Sequence, residues 1–213
     1  MQNVTDRTSN PFGMSPPRLV SADPAVVHGY GDANADIHLV GDHPRVHGGV
    51  ESGVPFTGTE GARRLQRVLH EVGLLEAPDT DRPRVRNLFA SYLHASVAPE
   101  GTPSDESYAR LEPFFDAELR AIAAHVLLPV GDRATAHVFR KYTARTPASA
   151  AELHGQEVRG SGFLVVPIRD PAEWTDADEE SLRETLEYLL TTDYRQISDL
   201  GRFLPGGDTY LVR

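Results

Sequence analysis

The sequence predicts an α/β fold: a single domain whose central, parallel, four-stranded sheet carries helices on both faces. Strand-like apolar runs alternate with helical patterns four times along the chain, an order that favours parallel strands joined by helical crossovers. The chain has 213 residues, enough for one domain with a substantial core. We therefore take residues 1–213 as a single domain, with an irregular arm over 1–34 and a tail of ambiguous structure over 193–213.

The strands and helices can be placed from their patterns. Short apolar runs of strand length predict four buried strands: Ile37–Val40, Val85–Phe89, Val126–Val130 and Gly162–Ile168. Helical periodicity predicts four helices: one capped by Thr59 and running to about Leu74, one from Asp105 to about His125, one over Ala134–Tyr142, and one starting at Asp176. The second helix should bury an inner face of Tyr108, Leu111, Phe115, Leu119 and Ile122.

The composition and charge of the chain exclude several kinds of protein. The formal net charge is -10, Lys141 is the only lysine, and there are 0 cysteines. The lack of cysteine excludes disulfides, thiolate catalysis and cysteine-ligated metal centres. The acidic, lysine-poor composition is typical of a protein kept soluble by carboxylates, such as one from a salty cytoplasm. Without a signal-like start or a membrane-length apolar run, we expect a cytoplasmic monomer that contacts no membrane.

The segment GDHPRVHGGVESGVPFTG, from Gly41 to Gly58, is the strongest functional feature. It follows the first predicted strand, at the edge where open α/β sheets bind their ligands. It carries the acid Asp42, the histidines His43 and His47, and Phe56. Its glycines let a backbone approach a flat ligand that an aromatic ring can stack on. The alternative is a glycine-rich turn with surface histidines and a core phenylalanine.

Polar residues also lie near the ends of other predicted strands. Asn87 lies on the second strand, followed by Ser91, Tyr92 and His94, and the fourth strand runs into Arg169, Asp170 and Trp174. Because parallel strands end at one edge, these side chains should converge on the Asp42 segment, as hydrolysis of a flat heterocyclic substrate requires. No phosphate-binding GxxxxGK[ST] or metal-binding HExxH motif is present. Each residue has a structural alternative: Asn87 can cap a strand end, and Asp170 before Pro171 is a common turn pair.

Taken in order, these motifs resemble the uracil-DNA glycosylase superfamily, most closely its thermophile-type iron–sulfur branch. The resemblance covers about residues 10 to 192. Its motifs fall on Gly41–Arg45, on Gly53, Pro55, Phe56, Gly58 and Gly61, on Asn87, on Thr102 and Pro103, on Gly131 and Ala134, and on Asp170–Ala172.

The resemblance implies a uracil-DNA glycosylase-like fold and excision of a flipped-out uracil from DNA. It implies that Phe56 stacks on the base, that the Asn87 amide pairs with it, and that Gly41 and Pro44 line the pocket. It assigns Asp42 to positioning water or stabilising the sugar cation. Groups at His43, together with Arg169 or a histidine, would stabilise the leaving base. The implied partner is uracil-containing DNA, and we expect no cofactor.

The chain departs from the family pattern at several positions. Asp42 replaces a glutamate, Arg45 a glycine, and Asp170 the histidine of the last motif. The cluster cysteines are missing, and the resemblance places two of their positions on Ser91 and Leu111. Packing of the N-terminal NPFGMSPP segment is expected to take the cluster's place. Two alternatives follow: a catalytically inactive uracil- or DNA-binding relative, and a nucleoside or nucleotide hydrolase, which would suit the acidic charge.

Overall fold

A computed structural model describes residues 8–16, 26–98, 101–146 and 148–201. The strands are β1 (Tyr30–Gly31), β2 (Ile37–Gly41), β3 (Leu88–Tyr92), β4 (Val126–Pro129), β5 (Val158–Arg159) and β6 (Leu164–Val165). The helices are α1 (Pro44–His47), α2 (Glu60–Glu71), α3 (Asp105–Ile122), α4 (Gly131–Tyr142), α5 (Asp176–Leu190) and α6 (Tyr194–Gly201), with a 3-10 turn at Pro171–Glu173.

The strands form one sheet in the order β1-β3-β2-β4-β6-β5. The four inner strands are parallel, which confirms the predicted parallel core. Short antiparallel strands extend it at both edges, β1 on β3 and β5 on β6. The described sheet thus has six strands, and its inner four end at one edge.

Helices cover both faces of the sheet, as predicted. On one face α2 and α5 bury a stripe of leucines against Ile37 and Leu39. On the other face α3 and α4 pack Phe115 and Phe139 against Val40. Alternate residues of β2 therefore point into opposite cores, as the pleat of a strand requires.

Caps fix the starts of the helices. The Thr59 side chain accepts a hydrogen bond from the Ala62 backbone N–H at 3.1 Å, which confirms the predicted cap of α2. Ser104 does the same for α3 through the Ser107 N–H, at 3.3 Å. Thr175 forms a capping box with Asp178 at the start of α5.

Several predicted boundaries are wrong. The second inner strand lies at Leu88–Tyr92 instead of Val85–Phe89, because Val85 forms an isolated antiparallel bridge with Leu75 and Asn87 turns the chain with a φ of 52°. The fourth predicted strand, Gly162–Ile168, is shorter in the structure, where it is β6. Its predicted last residue, Ile168, forms only an isolated bridge with Val130.

Differences also occur near the ends of the chain. The strand β1 lies within the segment expected to be irregular, and α6 falls in the ambiguous tail, whose residues 202–213 are outside the described part. Among the described residues, no helix is both long and apolar enough to cross a lipid bilayer.

Candidate active site

The site is built where β2 ends. Asp42 and His43 leave the strand, and Pro44 begins the short helix α1, which ends at His47. Proline suits a first helical position because its missing N–H would have no partner there. The Asp42 backbone N–H donates to Nδ1 of His47 at 3.0 Å, which closes the segment on itself. The backbone N–H of His94, just after β3, donates to the Asp42 carbonyl oxygen at 3.0 Å. Two neighbouring strand ends thus hold Asp42 in place.

The Asp42 carboxylate has a tyrosine partner. The Tyr108 hydroxyl, from α3, donates to its Oδ1. Burial raises the pKa of Tyr108 and the hydrogen bond to the carboxylate raises it further, so the phenol remains a proton donor. The Arg133 guanidinium lies 4.2 Å from the centre of the Tyr108 ring. The prediction that Tyr108 lies on the inner face of its helix is confirmed, since its ring packs against the core that contains Phe115, while its hydroxyl reaches the end of the sheet.

His43 is buried without a hydrogen-bond partner. Its exposed fraction is 2%, and within the described part of the chain neither ring nitrogen has a partner. Burial lowers the pKa of His43, and the nearby Asp42 carboxylate opposes that shift without cancelling it. A buried polar group left without a partner costs about 1–3 kcal/mol. Such a group beside a carboxylate at a sheet edge is a candidate ligand contact.

Phe56 is held in a strained conformation. Its φ of 55° is rare for a residue other than glycine or asparagine. The backbone N–H donates to the Tyr92 hydroxyl at 2.7 Å, and the carbonyl accepts from Gln66 at 2.8 Å. A side chain on Gly41 would come within 2.7 Å of both the Phe56 and Tyr92 rings, so glycine is required there. A strained backbone that is held by hydrogen bonds from neighbouring residues is common at binding sites.

A cavity of about 240 Å³ opens beside Phe56. Its lining includes Val46, His47, Phe56, Arg64, Asp170 and Ala172. A second cleft of about 300 Å³ lies on the Tyr108 side, where its lining includes Asp105, Tyr108, Glu112, Arg133, His137 and Arg140. The Asp42–His47 segment connects the two, because Asp42 bonds Tyr108 and His47 lines the first cavity.

The residues after β6 divide between two environments. Asp170 lines the first cavity while its carboxylate accepts from the Ala172 N–H at 2.9 Å, capping the 3-10 turn. The Arg169 guanidinium instead lies beside two carboxylates, 3.6 Å from Glu173 and 3.5 Å from Asp178. The structure thus brings Asp170, but not the charged end of Arg169, to the cavity that contains Phe56.

The expected position of Asn87 is wrong. Asn87 precedes β3, level with the start of β2, because Leu88 pairs with Ile37. Its amide accepts from the Asp36 N–H at 2.7 Å and donates to the Tyr194 hydroxyl at 3.1 Å. It therefore lies at the amino end of the parallel strands, opposite Asp42. We therefore do not propose that Asn87 pairs with a base at the Asp42 edge of the sheet.

The iron–sulfur cluster of the resembling branch does not fit this chain. Such a cluster needs thiolate ligands, and the sequence has 0 cysteines. The Ser91 hydroxyl is hydrogen-bonded to Nε2 of His38 at 2.8 Å, and Leu111 is 2% exposed. Leu111, Met14 and Glu118 line a cavity of only about 30 Å³, the volume of about one water molecule. Packing of the N-terminal segment, with Phe12 against Phe89, occupies this region.

One group of side chains has the composition of a metal site. Potential ligand atoms of Glu112, Asp116 and His137 lie within 4.8 Å of one another. However, Glu112 forms an ion pair with Lys141 at 2.5 Å, and Asp116 accepts from the Tyr142 hydroxyl at 3.2 Å. These carboxylates already have partners, so we assign no metal to them.

The sequence predicts Tyr108 on the inner face of its helix without assigning it to the site, does not single out Arg133, and leaves His47 open between a residue of the candidate segment and a surface histidine. Tyr108 and Arg133 come from helices whose apolar periodicity gives no sign of a polar group that faces the site. One sequence feature could have identified these residues. Tyr108 and Arg133 each lie in the first turn of a helix that starts at the carboxyl edge of the sheet, and His47 lies at the end of the short helix there.

Comparisons with known proteins agree with this architecture. The sequence model of the uracil DNA glycosylase superfamily matches residues 28–190. A Type-5 uracil-DNA glycosylase of Pyrobaculum aerophilum is 28% identical over 176 residues, which are 81% of this chain and 75% of the relative. A Type-5 uracil-DNA glycosylase of Thermus thermophilus is 32% identical over 130 residues, 54% of this chain and 59% of the relative. The chain belongs to the uracil DNA glycosylase superfamily.

Proposed function

We propose that this protein removes uracil from DNA by hydrolysing the N-glycosidic bond of a flipped-out nucleotide. The observation that carries the proposal is the position of Asp42 next to His43, because both ring nitrogens of His43 are buried and have no hydrogen-bond partner among the described residues. A member of this superfamily with an acid and an open hydrogen-bonding ring at the ligand edge of its sheet has the groups that such a hydrolysis needs.

In the reaction, the bond between C1′ of the deoxyribose and N1 of uracil breaks, and its electron pair leaves with the base. The sugar becomes cationic, and the oxygen of a water molecule bonds to C1′. A proton from that water passes to a base or to solvent, and the uracil anion is protonated after release. In this proposal, Asp42 stabilises the cation or orients the water. The neutral imidazole of His43 can hydrogen-bond to water, sugar or base.

The cavity beside Phe56 is the proposed base site. Phe56 and Asp170 are among the residues that line it, and Gly41 lets the Phe56 ring lie close to the end of the strand. Pro44 fixes the start of α1 and with it the wall formed by the helix. A flipped base needs such a pocket, and stacking on an aromatic ring contributes about 1–3 kcal/mol per base. The strain at Phe56 supports this role.

An arginine at the cleft beside Tyr108 favours a DNA substrate over a free nucleoside. Arg140 lines that cleft and forms no ion pair among the described residues, whereas Arg133 in the same cleft pairs with Asp105 and Arg64 in the first cavity pairs with Glu179. Guanidinium groups suit bidentate contacts with backbone phosphates. Local positive charge of this kind can bind DNA even though the formal net charge is -10.

The test is cleavage of a labelled oligonucleotide with one uracil, incubated with protein at low and high salt and then treated with alkali. We expect strand breaks at the uracil position, weaker at high salt, and unchanged by a chelator. Matched oligonucleotides with thymine or cytosine at that position are the controls. Binding without breaks would instead identify an inactive relative, and activity that a chelator abolishes and a divalent ion restores would overturn the metal-free mechanism.

A further inference from the structure

The turn that begins at Asp170 is held through the backbone of the residue before it. The Arg169 N–H donates to Nδ1 of His154 at 3.0 Å, and the Arg169 carbonyl accepts from the Trp174 indole N–H at 2.8 Å. Both main-chain polar groups of Arg169 are thus bonded to side chains. Asp170 follows directly and lines the cavity of about 240 Å³ beside Phe56. Two ring side chains therefore set the position from which the chain enters the cavity wall.

His154 also bonds the first turn of α5. Its Nε2 donates to the Asp178 carbonyl oxygen at 2.8 Å. Because Nδ1 accepts while Nε2 donates, the bonds are those of a neutral ring with its proton on Nε2. A single imidazole therefore joins Arg169, just before the cavity wall, to a helix whose leucines are packed in the core.

The segment that carries His154 is itself anchored at the next residue. The Gly155 N–H donates to the Pro167 carbonyl at 3.0 Å, and the Gly155 carbonyl accepts from the Thr185 hydroxyl of α5 at 2.7 Å. The half-buried His154 ring also packs edge-to-face on Trp174, with ring centres 5.7 Å apart and an interplanar angle of 63°. The imidazole is therefore held in one orientation relative to the cavity wall.

Helix α2 confines the same turn by direct contact. The Trp174 side chain is buried, and the Trp174 carbonyl accepts from the Arg64 guanidinium of α2. Gly61, at the start of α2, packs on the backbone of the turn, where an added Cβ would lie 2.8 Å from the Ala172 nitrogen. Helix α2 thus limits the turn by packing, and His154 limits it by a hydrogen bond.

We infer that His154 is a positioning residue of the base site. By holding Arg169, it sets the place of the turn over residues 170–172, all of which line the cavity beside Phe56. The inference rests on the proposed function, which assigns this cavity to the flipped base. His154 acts through the backbone of Arg169 and has no contact with the base itself. A misplacement of about 1 Å far from the reacting atoms can slow an enzyme about 100-fold, so this bond matters for the reaction beyond its part in folding.

Two substitutions separate the two hydrogen bonds of the ring. In His154→Asn, the amide oxygen can take the place of Nδ1 and accept the Arg169 N–H, but no group takes the place of Nε2. In His154→Gln, the longer amide can donate to Asp178 in place of Nε2, but the Arg169 N–H loses its acceptor. Both variants lose the ring contact with Trp174, so each is the matched control for the other.

The first measurement is single-turnover release of uracil from a labelled oligonucleotide at protein concentrations below saturation, with thermal unfolding of each variant. We expect His154→Gln to be slower than wild type by about 10-fold or more, and His154→Asn to stay within about 3-fold. The two variants should unfold at similar temperatures, because each keeps one of the two bonds. Equal losses of activity in both variants, or a loss in neither, would overturn the role of His154.

The second measurement uses the tryptophan of the turn as a probe in the wild-type protein. Trp174 is the only tryptophan of the chain, so intrinsic tryptophan fluorescence reports on this turn. The ligand is an oligonucleotide whose deoxyuridine carries a 2′-fluorine, which destabilises the sugar cation and so slows cleavage. The same oligonucleotide with thymine in place of uracil is the control. We expect a saturable change in emission that is larger with uracil, and equal responses to the two ligands would contradict the assignment of this turn to the base site.

The two measurements distinguish failure of this inference from failure of the proposed function. Wild-type protein that releases no uracil would overturn the proposed hydrolysis. The fluorescence measurement does not depend on cleavage or on a folded variant. A uracil-dependent change in Trp174 emission would then still support the turn as a wall of the base site, and its absence would overturn that role.

Discussion

The Tyr108 hydroxyl donates a hydrogen bond to Oδ1 of Asp42 and so connects α3 to the segment that follows β2. This contact engages one carboxylate oxygen of Asp42 and so restricts the direction in which the other oxygen points. Arg133 packs against the other side of the phenol at 4.2 Å. A helix on one face of the sheet therefore orients the proposed acid of the site.

Tyr108→Phe removes this bond while keeping the ring. A hydrogen bond to a charged group contributes about 1.5–3 kcal/mol, so we expect uracil release to fall about 10-fold or more with the fold intact. Tyr142→Phe is the matched control, because Tyr142 also bonds an aspartate, Asp116, at 3.2 Å. Equal rates for the two variants would show that Tyr108 does not orient Asp42 for the reaction.

Phe56→Leu tests base stacking with less loss of core volume than an alanine. We expect at least a 5-fold loss in uracil release, since stacking on an aromatic ring contributes about 1–3 kcal/mol. Phe163→Leu, which disturbs an aromatic pair with Tyr142 at 5.3 Å, is the control. A wild-type rate in Phe56→Leu would place the base elsewhere.

Arg169→Ala tests the donor suggested by the family resemblance. Because its guanidinium lies beside Glu173 and Asp178, we expect uracil release to stay within about 3-fold of wild type, with a loss of stability below about 1 kcal/mol. A strong loss of activity at unchanged stability would restore Arg169 as the donor to the leaving base. Asp170→His, which removes a carboxylate from the cavity, should be tolerated or raise the rate.

Glu118 should make stability depend on pH. Its carboxyl is 7% exposed, and burial raises its pKa from 4.5 to about 7, although a hydrogen bond from Ser91 lowers it. Between these values the unfolded chain has lost a proton that the folded protein keeps, so this group's contribution to stability falls as pH rises from about 4.5 to about 7. Its full size is on the order of 3 kcal/mol.

The measurement is urea unfolding of wild type and Glu118→Gln at pH 5 and pH 8. Glutamine resembles the protonated acid and cannot ionise, so the variant should gain stability relative to wild type at the higher pH. The comparison also cancels the opposite contribution of buried histidines such as His38, whose pKa burial lowers to about 3. An unchanged difference between the two proteins across this range would contradict the prediction.

The parallel core was predictable because buried strands and amphipathic helices have different periods in the sequence. Ile37–Val40 is apolar apart from His38, and Thr59 precedes a helical stripe, so the start of the first inner strand and the start of α2 were both placed at the observed residue. The short edge strands β1 and β5 have two residues each, too few to show any pattern. The shift of β3 depends on a left-handed Asn87 and on the Leu75–Val85 bridge, which are tertiary effects.

The position of a candidate residue was predictable where it directly follows a strand, as for Asp42 and His43. It was not predictable where a helix supplies the group. Tyr108 and Leu111 are three residues apart on α3, yet one bonds Asp42 and the other enters the core. Asn87 was misplaced because a shift of three residues along a strand moves a side chain about 10 Å, from one end of a five-residue strand towards the other.

The most direct test of the central claim is the amount of free uracil released under single-turnover conditions by wild type and by Asp42→Asn. The amide keeps the shape of the side chain and removes its charge, so thermal unfolding should show a folded variant. We predict one free uracil per uracil site for wild type and a rate at least 100-fold lower for Asp42→Asn. No uracil from wild type, or equal rates for both proteins, would contradict the claim that the Asp42 edge of the sheet is a uracil-excising active site.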